Sequence, residues 1–145
     1  MIGLLQRVTG ASVTIDGETV ARIDAGLLVL VGFARGDAED RLDRFLERIL
    51  NYRVFSDEQG RMNRSLRDAG GGLLLVPQFT LAADTRSGNR PSFTPAAAPE
   101  DGRRLFEALC DRARDAWPEC GFGRFGADMK VGLVNDGPVT FWLEP

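Results

Sequence analysis

Residues 26–50 read GLLVLVGFARGDAEDRLDRFLERIL, and the hydrophobic period changes within them. "LLVLVGF" (27–33) is a continuous apolar run of strand length, the pattern of a strand buried on both faces. In the second half, Leu42, Phe45, Leu46, Ile49 and Leu50 fall at i, i+3, i+4, i+7 and i+8, one stripe of a helix. Asp37, Glu39 and Asp40 stand where the first turn of that helix is expected, favoured there by the helix dipole. A buried strand feeding an amphipathic helix requires a sheet with a helix laid on it.

Upstream, residues 2–9, 11–15 and 18–23 alternate as strands, with Asp16-Gly17 as a hairpin turn. Downstream, "FSDEQGRMN" is a polar turn, and "GGG" (70–72) introduces a second apolar run, "LLLVPQFTL" (73–81). Pro77 inside that run marks an edge or a break in pairing. If the strand continued through it, Gln78 and Thr80 would share one face, as a solvent exit or the floor of a pocket. After Pro99, Leu105, Phe106, Leu109 and Ala113 repeat at helical spacing until Pro118. "GFGRFGADMKVGLV" and "PVTFWLEP" close the chain as strands. The intervening segment 82–100, rich in Pro, Ser, Thr and Arg, reads as a long functional or mobile loop. Without regular βα alternation a doubly wound sheet is disfavoured. The expected fold is therefore α+β: one domain over 1–145 with a largely antiparallel, barrel-like sheet and two packed helices.

Composition limits the chemistry. The 145 residues contain no histidine, which removes Ser-His-Asp and Cys-His nucleophile systems and every His-ligated metal site. No metal or cofactor is expected. Cys110 and Cys120 are too few for a disulfide framework and lack partner ligands. No signal-like N-terminus and no run of about 18 apolar residues occur, so a cytoplasmic protein without a membrane partner is expected. The net charge of −3 gives no overall attraction for nucleic acid. Arginine is plentiful while lysine is confined to Lys130, so a nucleic-acid partner would be held at a few bidentate points.

Two apparent motifs fail on context. "GFGRFG" (121–126) matches a dinucleotide fingerprint only literally, because a helix ends before it and a strand follows. Asp84, Asp101 and Asp128 show no spacing that pairs them for acid–base work. "VNDGPVTFW" (134–142) is harder to dismiss. Pattern alone reads Asn135-Asp136-Gly137 as a turn between two strands, with Gly137 at positive φ and Pro138 opening the second.

With these stretches assembled, the chain resembles the bacterial D-aminoacyl-tRNA (D-tyrosyl-tRNA) deacylases from end to end. "QRVTGASVTIDGE", "LNYRVFSDEQGRMNRSL", "QFTLAADTRSGNRPSF" and "GRFGADMKVGLVNDGPVTFWLE" carry the likeness. Two motifs define it. Gly137-Pro138-Val139-Thr140 matches Gly-Pro-Val-Thr, and Pro77-Gln78-Phe79-Thr80 matches Ser-Gln-Phe-Thr except that Pro77 stands in place of serine. The resemblance implies a homodimer that hydrolyses the ester of D-aminoacyl-tRNA, and of glycyl-tRNA, at the terminal adenosine. It implies a cis Gly137-Pro138 bond, and a turn from one subunit entering the other's site to exclude L-residues. By the same resemblance Gln78, Phe79 and Thr80 line the catalytic pocket, Phe125 and Met129 lie near the adenosine, and Arg7 steadies the turn. Glycine, having no Cβ to clash, is not excluded by such a device. The competing readings are a non-catalytic RNA- or protein-binding dimer on the same scaffold, and a Thr80-nucleophile esterase or amidase.

Overall fold

The computed structural model describes residues 1–145. In chain order its elements are β1 (Ile2–Ile15), β2 (Glu18–Ile23), β3 (Gly26–Gly32), α1 (Leu42–Asn51), β4 (Phe55–Ser56), β5 (Met62–Arg64), α2 (Leu66–Ala69), β6 (Gly72–Pro77), α3 (Pro99–Ala116), β7 (Cys120–Phe122) and β8 (Lys130–Leu143). Short 3₁₀ turns at Glu39–Arg41 and Phe79–Ala82 complete them.

The hairpin at Asp16-Gly17 forms as expected, with both residues at positive φ. Residues 2–15, anticipated as two strands, are one long strand that changes partner. Its first half pairs with β3 and its second with β2, while β8 runs along its other edge, all antiparallel. β6 then joins β3, and β7 joins β6, in parallel. The order is β2-β1-β3-β6-β7, with β8 on β1. The ends of this order meet: a Cβ on Gly121 of β7 would lie 3.3 Å from Ala21 Cβ of β2. The sheet is thus curled into a nearly closed barrel, largely antiparallel as expected, with a parallel section that local pattern did not reveal.

The buried run in β3 explains the layering. Leu27, Val29 and Val31 face α1 and α3, together with Leu73 and Leu75 of β6. Leu28 faces the barrel interior with Leu74, Val76, Val8 and Val13. Burial on both faces is the condition of a parallel section covered by helices. Phe45, Ile49 and Leu50 of α1 meet Leu105, Leu109 and Ala113 of α3 in the outer cluster, at the periodic positions read from sequence. α3 opens with Pro99 in its first turn and ends before Pro118. None of the helices is long and apolar enough to cross a membrane.

Local readings needed correction at four places, and the structure adds detail to the 82–100 loop. Asp37, Glu39 and Asp40 precede α1 instead of sitting in its first turn, the last two within the 3₁₀ turn; Asp37 accepts from Ala34 N (2.7 Å) and pairs with the α-amino group of Met1. A third helix, the single turn α2, has a capping box between Ser65 and Asp68 and ends at Gly70 in the left-handed region. The run 73–81 is not strand throughout: β6 stops at Pro77 and Phe79–Ala82 coil into a 3₁₀ turn. The loop at 82–100 is tied down by an Asp84–Ser92 bridge, by Arg35 N to Pro95 O (2.9 Å) and by Ala97 N to Phe33 O (3.0 Å). Finally, "DGP" is not a hairpin. β8 keeps its direction, pairing Asn135 with Val8 and Thr140 with Gln6, so that residues 136–139 oppose Arg7 alone and bulge from the strand.

Candidate active site

β6 ends where a cleft begins. Gln78 N still donates to Val31 O of β3 (2.7 Å). Alternation along a strand therefore turns the Pro77 nitrogen toward the β7 side. There β7 has already finished, its last contact being Gly123 N to Leu75 O (2.9 Å). A missing N–H at Pro77 costs the sheet nothing. Past this point the chain coils at Phe79–Ala82. The opening N–H groups of such a turn, those of Phe79 and Thr80, find no acceptor inside it, and no side chain caps it.

The cleft, of about 320 Å³, lies between this turn and the segment leading into β8; Gln78, Phe79, Phe125 and Met129 all line it, with Pro77 and Asp128. Gly123 is required behind it, because a Cβ there would come within 2.8 Å of Met129 Sδ and 3.0 Å of Pro77 Cδ. Of the glycines of "GFGRFG", Gly123 thus serves close packing around Met129, Gly121 lies against Ala21 and Leu74, and Gly126 takes a positive φ. Phe79 is half exposed and packs on Phe93 from the 82–100 loop, ring centroids 5.2 Å apart. Phe93 is a contributor that sequence reasoning missed.

Thr80 stands beside the cleft with its hydroxyl accepting from Gln78 Nε2. An amide N–H cannot take a proton from a hydroxyl, so this contact does not make Thr80 a nucleophile. The three aspartates do not converge. Asp84 is bound by both ends of the Arg86 guanidinium (2.9 and 2.7 Å), which holds its carboxyl far below the usual carboxylate range. Asp101 lies in the first turn of α3, and Asp128 pairs with Lys130 (3.2 Å). Cys110 is buried in the outer core, where desolvation pushes its thiol up to about 12.

The remaining sequence-predicted residues form a second assembly. The Gly137-Pro138 bond is cis, and the bulge carrying it is exposed. Arg7 holds it from below, Nε donating to Asp136 O (2.9 Å) and Nη1 to Val54 O (2.8 Å). Asn135 clasps its two ends: its Oδ1 accepts from Val139 N (2.7 Å) and its Nδ2 donates to Thr140 Oγ1 (2.9 Å). Gly137 has φ +143°, and a Cβ there would lie 2.6 Å from Val139 Cγ2 and 2.9 Å from Val139 N. Neither Gly137 nor Pro138 lines the cleft of its own chain. The predicted residues therefore fall into two groups, a cleft and a rigidly held projection.

The curled α+β fold is shared with two solved structures. One, described as c-Myc DNA Unwinding Element Binding Protein, superposes with a TM-score of 0.94 at 38% identity, over 100% of this chain and 99% of that one. The other, a probable eukaryotic D-amino acid tRNA deacylase, has a TM-score of 0.87 at 18% identity, over 98% and 97%, and bears on the fold alone. The family model described as D-Tyr-tRNA(Tyr) deacylase matches residues 4–144, and the chain belongs to that family. A D-aminoacyl-tRNA deacylase of Stutzerimonas stutzeri (strain A1501) is 65% identical over 144 residues, spanning 99% of each chain.

Proposed function

We propose that the chain hydrolyses the ester joining a D-amino acid to the terminal adenosine of tRNA and spares the L-form. The coarser half follows from family membership: the chain is an enzyme, a D-aminoacyl-tRNA deacylase acting as a carboxylic ester hydrolase. The finer half concerns how the selection is made. In this reading two copies associate about a twofold axis, and the Gly137-Pro138 bulge of each enters the cleft of the other. One observation carries it: the bulge is held rigidly by Arg7 and Asn135, yet projects to solvent and takes no part in its own cleft.

The chemistry follows from the groups present. A proofreading site that accepts many side chains has to read what all share, namely the amino group, the carbonyl and the Cα–Cβ direction. Main-chain carbonyls of the bulge capture the α-amino group and fill the space an L side chain would need. Exclusion by clash leaves glycine unopposed, so glycyl-tRNA is also cleaved. The free N–H groups of Phe79 and Thr80 face the scissile carbonyl and stabilise the oxyanion of the tetrahedral intermediate. Attack by water is assisted by the 2′-hydroxyl beside the ester, so no side-chain base is required. Phe125 and Met129 border the terminal base. The reaction belongs to the cytoplasm, where aminoacyl-tRNA is consumed.

The test is hydrolysis of D-tyrosyl-, L-tyrosyl- and glycyl-tRNA by the purified chain. Turnover of the first and third with the second spared is expected. Binding of tRNA with no turnover of any would leave the non-catalytic dimer as the better reading.

A further inference from the structure

Beside the candidate cleft lies a second one of about 380 Å³ that none of the assignments above uses. It runs between α3 and the 122–125 segment, and Phe125 belongs to the walls of both. From α3, Glu107, Asp111 and Arg114 line it, and Arg103 stands on the same helix face one turn before Glu107, outside the cleft. The aromatic rings opposite are covered by guanidiniums: Arg114 over Phe122 at 4.6 Å from the ring centre, Arg103 over Phe125 at 5.2 Å. Phe125 is itself pressed on α3, with its ring 3.0 Å from where a Cβ of Gly102 would stand.

These arginines are not equivalent. Arg114 donates to Asp111 (2.7 Å), so its charge is met. Arg103 and Arg124 are exposed and make no ion pair. Arg103 also reaches the rim of the first cleft, its Nη2 lying 3.4 Å from the Cβ position of Gly126. Glu107 is the one unpaired acid in the second cleft, and it stands one helical turn from Arg103. Two free guanidiniums flanking an aromatic, on the path out of a cleft that takes a terminal nucleotide, match a single-stranded polyanion that must leave that cleft.

We propose that Arg103 and Arg124 bind backbone phosphates of the unpaired 3′ segment of tRNA immediately upstream of the terminal adenosine, guiding the strand over Phe125. This rests on the reading of the first cleft as the seat of the aminoacylated nucleotide. It also reconciles an acidic chain with an RNA substrate: attraction is confined to a few points, as a net charge of −3 demands.

The test is the affinity of uncharged tRNA, by fluorescence anisotropy over a salt series, for the wild-type chain, R103Q/R124Q and R41Q/R44Q. The last pair removes two exposed arginines on and next to α1 that make no ion pair and lie outside both clefts. Loss of two single-strand phosphate contacts should flatten the slope of log K against log salt by about 1.4 and weaken binding at low salt about tenfold. R41Q/R44Q should bind as wild type. Equal losses in both double variants, or an unchanged slope in R103Q/R124Q, would overturn the proposal. Because no turnover is needed, this result is independent of whether the chain cleaves D-aminoacyl esters, which the hydrolysis assay decides separately.

Discussion

Replacing Arg7 by methionine keeps the aliphatic stem and removes its bond to the Gly137-Pro138 bulge, at Asp136 O, together with the bond to Val54 O that anchors the guanidinium. The two bonds differ in worth. Val54 is buried, so its carbonyl loses its donor where water does not readily replace it, costing about 1–3 kcal/mol. Asp136 is exposed and its carbonyl can turn to water, so that bond adds only about 0.5–1.5 kcal/mol. The nearby Asp136 carboxylate, 3.7 Å away and half exposed, adds little. The sum, about 1.5–4.5 kcal/mol, should lower Tm by roughly 5–15 °C for a domain of this size. The selectivity effect is separate. A bulge free to retreat no longer blocks an L side chain, and each 1.4 kcal/mol of lost exclusion is about tenfold in discrimination. Arg7→Lys, a single point charge in place of a fork, should recover only one of the two bonds and fall between. The assay is kcat/KM for D- and L-tyrosyl-tRNA beside a thermal melt. A large fall in Tm with an unchanged D-to-L ratio would refute the claim that Arg7 acts on selectivity through the turn.

Pro77→Ser restores a hydroxyl and an N–H at a position whose nitrogen faces no partner, so deacylation should change by less than about threefold and Tm by a degree or two. Thr80→Val, read by the same assay, should cost no more than about tenfold, since backbone N–H groups carry the oxyanion; complete loss would favour the Thr80-nucleophile reading. Asn135→Ala removes the clasp on Val139 N and Thr140 and should destabilise by about 1–2 kcal/mol in urea unfolding. Burial raises both thiols, Cys110 from 9.0 to about 12. The native state therefore favours neutral thiols, so alkylation at pH 8 should be slow, with Cys120 ahead of Cys110. Because the folded value lies above the unfolded one, this contribution to stability is complete below pH 9 and is lost as pH climbs from 9 towards 12.

Much of the fold was legible because its signals are local. Leu42, Phe45, Leu46, Ile49 and Leu50 announce α1 by period, Pro99 and Pro118 bracket α3, and Asp16-Gly17 marks its hairpin. The parallel pairing of β3 with β6 leaves no such trace, since its partners lie far apart in the chain and a doubly buried run looks the same in any sheet. Alternation misled at 78–81, where Gln-Phe-Thr-Leu imitates a strand but coils once β6 has lost its neighbours past Pro77. The capping box of α2 was present as Ser65-x-x-Asp68 and could have been read. At 135–138 the same residue types serve a hairpin and a bulge, and only pairing of both flanks with β1 separates the two. The site residues were named by resemblance to a family; their division into a cleft and a separate projection, and the part of Phe93, required coordinates.

The central claim is that the bulge of one copy completes the cleft of another, and subunit mixing tests it most directly. Gly137→Ala drives a Cβ into Val139 and displaces the bulge, while Ala127→Trp fills the cleft. Each variant alone should be inactive. After subunits are exchanged in equal amounts, half the dimers are mixed, and each mixed dimer has one intact cleft facing one intact bulge, so about a quarter of wild-type D-tyrosyl-tRNA hydrolysis should return. If the mixture stays as inactive as its parents although mixed dimers form, the bulge serves its own chain and the account is contradicted.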